Sequence, residues 1–180
     1  LLNGDARTGV TSMMMEEGLD TGDMLEKIEF VIPKDMRLQG LMQQLTNDAC
    51  SLTLSTVRNF KQINAVRQDE NEATLCKKIK KSDGEIDFED AALIYNKYRA
   101  FEGWPGVFTS NGTKFDGLSL VEITSHNSVL EILSFEEESV IVGCGTGSLK
   151  INSLQPSSKK AMTAKAYCVG RGLKVGDDLL

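Results

Sequence analysis

An acidic turn bounded by glycines is the stretch of this sequence best suited to chemistry. It reads Glu16-Glu17-Gly18-Leu19-Asp20-Thr21-Gly22-Asp23 and directly follows a short apolar run. Glycine allows positive backbone φ angles, so the spacing of Gly18 and Gly22 predicts a tight loop with Asp20 at its tip. A carboxylate held there could orient a base, accept a proton or hydrogen-bond a ring nitrogen.

This turn has two interpretations besides a catalytic one. Acidic loops that contain glycine are common at protein surfaces. A calcium loop would need carboxylates at alternate positions over about a dozen residues and a closing bidentate Glu, a spacing that is absent here. The turn is therefore a candidate for proton or hydrogen-bond chemistry.

The elements around the turn indicate an α/β arrangement. Residues 9–15 and 24–32 are typical of strands, and the apolar spacing from Met36 to Phe60 predicts one long helix. Its expected buried stripe comprises Leu38, Leu41, Met42, Leu45, Ala49, Leu52 and Val57. Loops at strand ends are where open α/β sheets build ligand sites. Two strands and a helix bury little surface alone, so we expect residues 1–60 to complete a larger domain.

Residues 61–74 are polar and aperiodic, which predicts a linker. The residue pattern changes after this linker. A helix is expected over 88–101, ended by Gly103-Trp104-Pro105-Gly106, and a short helix over 162–170. Between them lie short strand candidates, which predict a small antiparallel barrel: 106–110, 118–124, 128–134, 139–143 and 147–154.

Composition narrows the class of protein. The chain has 180 residues, of which 41% are hydrophobic and 26% charged, values that are ordinary for globular domains. It has no apolar run of about 18 residues, so no membrane span is predicted, and no secretion signal is visible. The net charge of −6 argues against a general nucleic-acid binder.

The cysteines and the histidine give no metal motif. Cys50, Cys76, Cys144 and Cys168 are scattered without a Cys-x-x-Cys pair, and His126 is the only histidine. A zinc site is therefore not expected, and dispersed thiols fit a reducing, cytoplasmic location. His126 lies in Thr-Ser-His-Asn-Ser, which we interpret as a surface loop of the second domain.

Basic residues are concentrated in two places. Residues 150–176 contain six basic side chains and no acidic one: Lys150, Lys159, Lys160, Lys165, Arg171 and Lys174. A shorter cluster consists of Lys77, Lys78, Lys80 and Lys81. Such clusters can bind a polyanion locally, because salt confines their field to about 8–10 Å. An exposed, solvated surface is the alternative for both.

Three segments in order resemble the folate-dependent formyltransferases, specifically the methionyl-tRNA formyltransferase family. They are residues 8–25, which include Leu19-Asp20-Thr21-Gly22-Asp23, residues 99–105, Arg-Ala-Phe-Glu-Gly-Trp-Pro, and residues 154–163, Leu-Gln-Pro-Ser-Ser-Lys-Lys-Ala-Met-Thr. Together they span the chain. The resemblance implies the end of a Rossmann-like catalytic domain at 1–60, a linker at 61–74, and an OB-like tRNA-binding domain at 75–180.

The resemblance also implies a reaction and roles for residues. The family transfers a formyl group from 10-formyltetrahydrofolate to the amino group of initiator methionyl-tRNA. Asp20 matches the family's aspartate, which pairs with a catalytic histidine beside an oxyanion. The neighbouring candidates for folate contact are Gly18, Leu19, Thr21, Gly22 and Asp23. No metal is implied.

The C-terminal part is implied to hold tRNA. The candidates for phosphate contact are Lys159, Lys160, Lys165 and Arg171. Trp104 and Phe101 could stack on a base, although we expect them to pack in the core at the helix end. A cytoplasmic monomer without membrane contact is expected.

The sequence departs from the family pattern in one respect. The catalytic Asn and His, and the preceding Ser-Leu-Leu-Pro segment, are missing, so this chain is expected to be an inactive fragment by itself. Two alternatives stay open: a formyltransferase acting on an amino sugar nucleotide, and a noncatalytic RNA-binding fragment.

Overall fold

The chain divides between residues 78 and 79 into two units, as seen in a computed structural model that describes residues 1–180. The N-terminal unit is Asp5–Lys78. The C-terminal unit is Ile79–Leu180 together with Leu1–Gly4.

The N-terminal unit is a hairpin packed on one helix. Strands β1 (Arg7–Met13) and β2 (Met24–Val31) pair antiparallel, and helix α1 covers Leu38–Asn59. The two predicted strands and the long helix are thus confirmed. The hairpin is the only sheet in residues 5–78, so this part of the chain forms no parallel α/β sheet by itself.

The predicted apolar stripe of α1 is wrong at two positions. Leu41 and Leu52 are buried, but Met42 is 54% exposed and Val57 is 73% exposed. Each residue of a helix lies about 100° around the axis from the one before it. Met42 and Val57 each follow directly after a buried residue, Leu41 and Thr56. They therefore lie beside the packed face and outside it.

The segment after α1 returns to the hairpin. It contains two 3-10 turns, Phe60–Gln62 and Glu70–Glu72. Between them Val66 pairs with Met24, each backbone N–H donating to the other's carbonyl at 2.8 Å. The polar stretch predicted as a linker is therefore partly ordered against the start of β2.

The C-terminal unit is mostly antiparallel sheet, with two helices. Its strands run in the order β3-β4-β7-β6-β5, and β8 pairs with β7. Their bounds are β3 Val107–Phe108, β4 Lys114–Glu122, β5 Ile132–Phe135, β6 Val140–Gly143, β7 Ser148–Gln155 and β8 Met162–Thr163. Helix α2 covers Ala91–Ala100 and α3 covers Ala164–Arg171.

No closed barrel is formed by this sheet, in contrast to the prediction. The strands at its two ends, β3 and β5, do not pair with each other. Other segments occupy both edges: Ile86 N–H donates to Phe108 O, and at β5 Ile132 N–H donates to Asp177 O, both at 2.9 Å. Segments from outside the sheet therefore occupy an acceptor of β3 and a donor of β5.

Side-chain caps decide where the two helices of this unit begin. The Asp90 carboxylate accepts from Ala92 N–H and Leu93 N–H at 2.8 and 3.0 Å, so α2 begins at Ala91 and not at the predicted residue 88. Thr163 caps α3 by accepting from Ala166 N–H at 3.2 Å. At its end, Gly172 has φ 70°, the left-handed conformation typical of a helix terminus.

The core of the C-terminal unit lies between the sheet and its helices. Phe88 is fully buried and meets Phe115 edge-on, with ring centroids 5.2 Å apart. Phe101 is buried, as expected for core packing. Trp104 is 57% exposed, so the prediction that it packs in the core is wrong. The turn Gly103–Gly106 directs it outward beyond the end of α2.

A carboxylate organises the end of β4. Glu122 accepts from the N–H groups of Ile123, Thr124 and Ser125 at 2.6–3.0 Å, and from the Thr124 hydroxyl at 2.6 Å. Hydrogen bonds from Ser125 and Thr124 lower the pKa of Glu122 to about 2. The turn is therefore built around a charged carboxylate.

Candidate functional site

The acidic turn is the connection between β1 and β2. The Met14 N–H donates to Asp23 O at 2.9 Å, which closes the base of the loop. Asp20 has φ 58°, a left-handed conformation that Asp adopts more readily than most non-glycine residues, whereas neither Gly18 nor Gly22 has a positive φ, in contrast to the expectation from the sequence. The Asp20 side chain is exposed at the tip of the loop, as predicted.

The loop's own packing requires its glycines. A Cβ atom at position 22 would lie 1.8 Å from Met14 O, and one at position 18 would lie 2.5 Å from Thr21 Oγ1. Neither position accepts a larger residue without rearrangement. The loop therefore has little freedom to change shape near Asp20.

Gln68 holds the loop from the segment that follows α1. Its side-chain amide donates to Asp20 O at 2.8 Å and to Gly22 O at 2.7 Å. Sequence reasoning missed this residue, because a glutamine in a polar, aperiodic stretch has no signal that distinguishes it from solvent-facing neighbours.

A cavity of about 470 Å³ lies between the loop and this segment. Its volume is in the range of small-molecule sites, about 300–1,000 Å³. The predicted residues Asp20, Thr21 and Asp23 line it, whereas Gly18, Leu19 and Gly22 do not. The wall is rich in hydrogen-bond acceptors, since six carboxylates face one guanidinium: Glu16, Asp20, Asp23, Asp69, Glu70, Glu72 and Arg67.

A polar cluster ties the hairpin to α1. Glu26 accepts from the hydroxyls of Ser55 and Thr56 at 3.1 and 2.8 Å. Ser12 Oγ lies 2.9 Å from Thr56 Oγ1 and also accepts from Glu26 N–H. This cluster fixes both strands on the helix and so supports the loop that joins them.

Two cations of the basic segment are engaged within the protein. The Lys150 ammonium forms an ion pair with Glu136, and its hydrogen bond lowers the pKa of that carboxyl. Lys165 Nζ donates to Glu136 O at 2.9 Å. Of the four residues predicted to contact phosphates, Lys165 is thus partly committed to its own chain.

The other predicted phosphate contacts are exposed. Lys159 and Lys160 lie in the turn before β8. Arg171 at the end of α3 is also exposed, and its guanidinium stacks 4.6 Å from the centre of the Tyr167 ring. This part of the surface presents cations that no acidic neighbour in 150–176 neutralises.

The shorter basic cluster is exposed as well. Lys80 begins the 3-10 turn Lys81–Gly84, and its backbone N–H donates to Asp83 Oδ2 at 2.7 Å. Gly84 packs against the Trp104 turn, since a Cβ atom there would lie 2.2 Å from Gly106 O. Lys80 and Lys81 belong to the C-terminal unit, in which the Trp104 indole is also exposed.

The thiols and the histidine offer no second centre. Cys144 is buried, and desolvation, assisted by Asp90 and nearby carboxylates, raises its pKa to about 12. Burial also raises the pKa of Cys168. His126 is exposed in a loop, and its Nδ1 hydrogen-bonds Gly145 O at 3.1 Å. No group of three or more His, Cys, Asp or Glu residues is arranged to hold a metal ion. No helix has the length and apolar character needed to cross a bilayer.

Known proteins match both the sequence and the fold. The chain is 72% identical over 180 residues to the methionyl-tRNA formyltransferase of Sulfurovum sp. (strain NBC37-1), covering 100% of this chain and 59% of the relative. It is 44% identical to that of Sulfurimonas denitrificans, covering 99% of this chain and 59% of the relative. The chain thus spans 59% of the length of these curated relatives.

Solved structures share the fold at low identity. HypX from Aquifex aeolicus, in complex with tetrahydrofolic acid, gives a TM-score of 0.65 at 19% identity, over 98% of this chain and 33% of that one. The N-formyltransferase from Helicobacter canadensis gives 0.66 at 18% identity, over 83% and 56% of the two chains.

The family model for the formyl transferase C-terminal domain matches residues 78–172. That range contains all the strands and helices of the C-terminal unit. The chain therefore belongs to the formyl transferase family.

Proposed function

We propose that this chain is the C-terminal part of an enzyme that transfers a formyl group from 10-formyltetrahydrofolate to the amino group of initiator methionyl-tRNA. The observation that carries the proposal is the 72% identity to a methionyl-tRNA formyltransferase over the whole chain. The acidic loop with Asp20 at its tip, beside a cavity of suitable size, supports it.

The proposed chemistry needs a charged group near a forming oxyanion. The amine attacks the formyl carbon, a tetrahedral intermediate forms, the bond from that carbon to the folate nitrogen breaks, and the amine proton passes to that nitrogen. In this proposal the Asp20 carboxylate pairs with an imidazole from outside this chain. A nearby carboxylate raises the imidazole pKa and so favours the protonated form, which donates to the oxyanion.

The cavity wall is compatible with a reduced pterin. The ring carries several N–H donors, and the wall supplies mainly acceptors, Asp20 and Asp23 among them. Thr21 adds a hydroxyl that could serve as donor or acceptor. We propose that Gly18, Leu19 and Gly22, which do not line the cavity, act by shaping the loop. The folate would supply the formyl group, and Asp20, Thr21 and Asp23 would bind and orient the folate.

The C-terminal unit is proposed to hold tRNA. Lys159, Lys160 and Arg171 are exposed and would contact phosphates, with Lys165 as a weaker contributor because its ammonium is already engaged. Lys80 and Lys81, which are exposed in the same unit, are further candidates for phosphate contact, and the exposed Trp104 ring is a candidate for stacking on a base. We also propose that this sheet is related to the OB fold and that residues 1–60 complete a Rossmann-like domain. The full-length protein is proposed to be a cytoplasmic monomer.

The test is formyl transfer by the full-length protein that contains this chain, with methionyl-tRNA and 10-formyltetrahydrofolate. The Asp20→Asn variant should lower kcat by at least about a hundredfold, with tRNA affinity unchanged. Glu17→Gln, a neighbouring exposed carboxylate, is the control and should be near wild type. Near-normal turnover of Asp20→Asn would remove Asp20 from the mechanism. If the protein formylated an amino sugar nucleotide and not methionyl-tRNA, the proposed acceptor would be wrong.

A further inference from the structure

The left-handed backbone of Asp20 is contacted from outside its own loop. Its φ of 58° is disfavoured for a residue with a Cβ atom, because the side chain approaches the backbone. Such a conformation persists where surrounding contacts determine it. The Met14–Asp23 hydrogen bond closes only the base of the loop. It does not reach the tip.

Gln68 makes the contacts that reach the tip. Its amide nitrogen donates to Asp20 O at 2.8 Å and to Gly22 O at 2.7 Å, so both of its N–H bonds have an acceptor. The two acceptors flank Thr21. One side chain therefore fixes the Asp20–Thr21 and Gly22–Asp23 peptide groups.

The backbone near Gln68 is itself anchored. Val66 and Met24 exchange two hydrogen bonds of 2.8 Å, which attach this segment to the beginning of β2. The side chain of Gln68 is half-buried, and its amide nitrogen lies 4.0 Å from Met13 Sδ. The Gln68 side chain therefore extends from an anchored backbone segment to the two loop carbonyls.

We propose that Gln68 is a positioning residue for Asp20: it sets the direction of the Asp20 carboxylate by holding the loop's carbonyl groups. The inference rests on the proposed function, since it takes Asp20 as the carboxylate that acts in formyl transfer. Gln68 also lines the cavity of about 470 Å³, but the proposed role runs through the two loop carbonyls and not through direct contact with the folate. Loss of Gln68 should therefore reduce turnover and leave acceptor binding unchanged.

Two substitutions separate donation from shape. Gln68→Met keeps the length of the side chain and removes both donors. Gln68→Glu keeps the shape of the side chain. Its charged carboxylate has no donor and would face the carbonyl oxygens of Asp20 and Gly22. When protonated, the Gln68→Glu carboxyl can donate one hydrogen bond. Gln62, exposed in the preceding 3-10 turn, gives matched controls in Gln62→Met and Gln62→Glu.

The first measurement does not depend on activity. In full-length protein with carbonyl-¹³C labels, the Asp20 and Gly22 resonances should shift in both Gln68 variants, because each carbonyl loses its donor. Both resonances should be unchanged in the Gln62 variants. Unchanged resonances in the Gln68 variants would overturn the inference, whatever the enzyme turns out to do.

The second measurement is kinetic. We expect Gln68→Met to lower kcat about 10–100-fold, with the KM values for methionyl-tRNA and for 10-formyltetrahydrofolate both within about twofold of wild type. Gln68→Glu should recover part of its kcat, relative to Gln68→Met, as the pH is lowered and its carboxyl is protonated. A raised KM with normal kcat, or normal kinetics despite shifted resonances, would overturn the positioning role. A wild-type protein without formyl transfer would instead refute the proposed function.

Discussion

The ammonium group of Lys150 forms an ion pair with the carboxylate of Glu136. Lys165 donates to the backbone carbonyl of the same residue at 2.9 Å. Glu136 therefore engages two of the six cations in the basic segment 150–176. Lys159, Lys160 and Arg171 are the predicted contacts that remain directed at solvent.

The exposure of Lys159 and Lys160 leads to a prediction about tRNA binding. Replacing Lys159 and Lys160 together with Ala should weaken binding to methionyl-tRNA and reduce the slope of log K against log salt by about 0.7–0.9 for each lysine. The slope changes because fewer counterions are released from phosphates. Titrations of the full-length protein over a range of salt concentrations would measure it.

The control removes the same charge elsewhere. Lys34 and Lys61 are exposed in the N-terminal unit, and their double replacement by Ala should leave the slope near wild type. Equal losses in the two double variants would mean that binding follows net charge alone. An unchanged slope for the Lys159 and Lys160 variant would make that surface a merely solvated one.

The turn at the end of β4 predicts a pH dependence of stability. The pKa of Glu122 is lowered in the folded state to about 2. Its charged form therefore stabilises the fold above the unfolded pKa, and this contribution is lost as the pH falls from about 5 toward 2. Glu122→Gln should have a lower urea midpoint than wild type at pH 7, and the difference should shrink in acid.

The single tryptophan makes this measurement local. Trp104 lies in the C-terminal unit, so its fluorescence follows the unfolding of that unit. Glu137→Gln changes an exposed carboxyl in the same unit and serves as the control. A constant difference between wild type and Glu122→Gln from pH 7 to pH 3 would contradict the stated cause.

The closeness of Gly22 to Met14 predicts a loss of activity without loss of the fold. A methyl group at position 22 would lie 1.8 Å from Met14 O, so Gly22→Ala must displace the loop that carries Asp20. Turnover by the full-length protein should fall at least about tenfold, as expected when a catalytic group is misplaced. Protection of the backbone amides of β1 and β2 from hydrogen exchange, which follows the N-terminal unit, should be unchanged.

A second glycine provides the comparison. Gly170 lies in α3 with no atom within 4 Å of an added Cβ, so Gly170→Ala should be active and stabilise the C-terminal unit by about 0.5–1 kcal/mol. Wild-type turnover in Gly22→Ala would show that the loop has room to adapt.

The elements with strong local patterns were predictable. The strand predicted over 24–32 corresponds to β2, and the apolar spacing from Met36 to Phe60 identified the long helix α1. The start of α2 was misplaced because Phe88 looks like a helical core residue in the sequence. It has φ 63°, which no helix allows, and Asp90 sets the true beginning.

The contacts that were not predictable are made by backbone groups distant in sequence. Closure of the barrel failed because residues near Ile86 and Asp177 donate to or accept from the sheet edges through their main chains. Main-chain bonding requires no particular side chain, so it leaves no pattern in the sequence. In the site, the motif identified Asp20, Thr21 and Asp23, which line the cavity. Gln68 was missed because the carbonyls that it binds belong to the main chain of a loop more than 40 residues away in sequence.

The C-terminal segment has a practical consequence for anyone shortening this protein. The family match ends at residue 172, yet Leu179 is fully buried and its N–H donates to Leu130 O at 3.0 Å. A recombinant fragment cut at 172 would strip the outer edge of β5 and leave Ile132 N–H without its acceptor. Bare strand edges recruit other chains, so such a fragment would tend to aggregate during purification. A fragment that retains the residues through Leu179 keeps the edge of β5 covered.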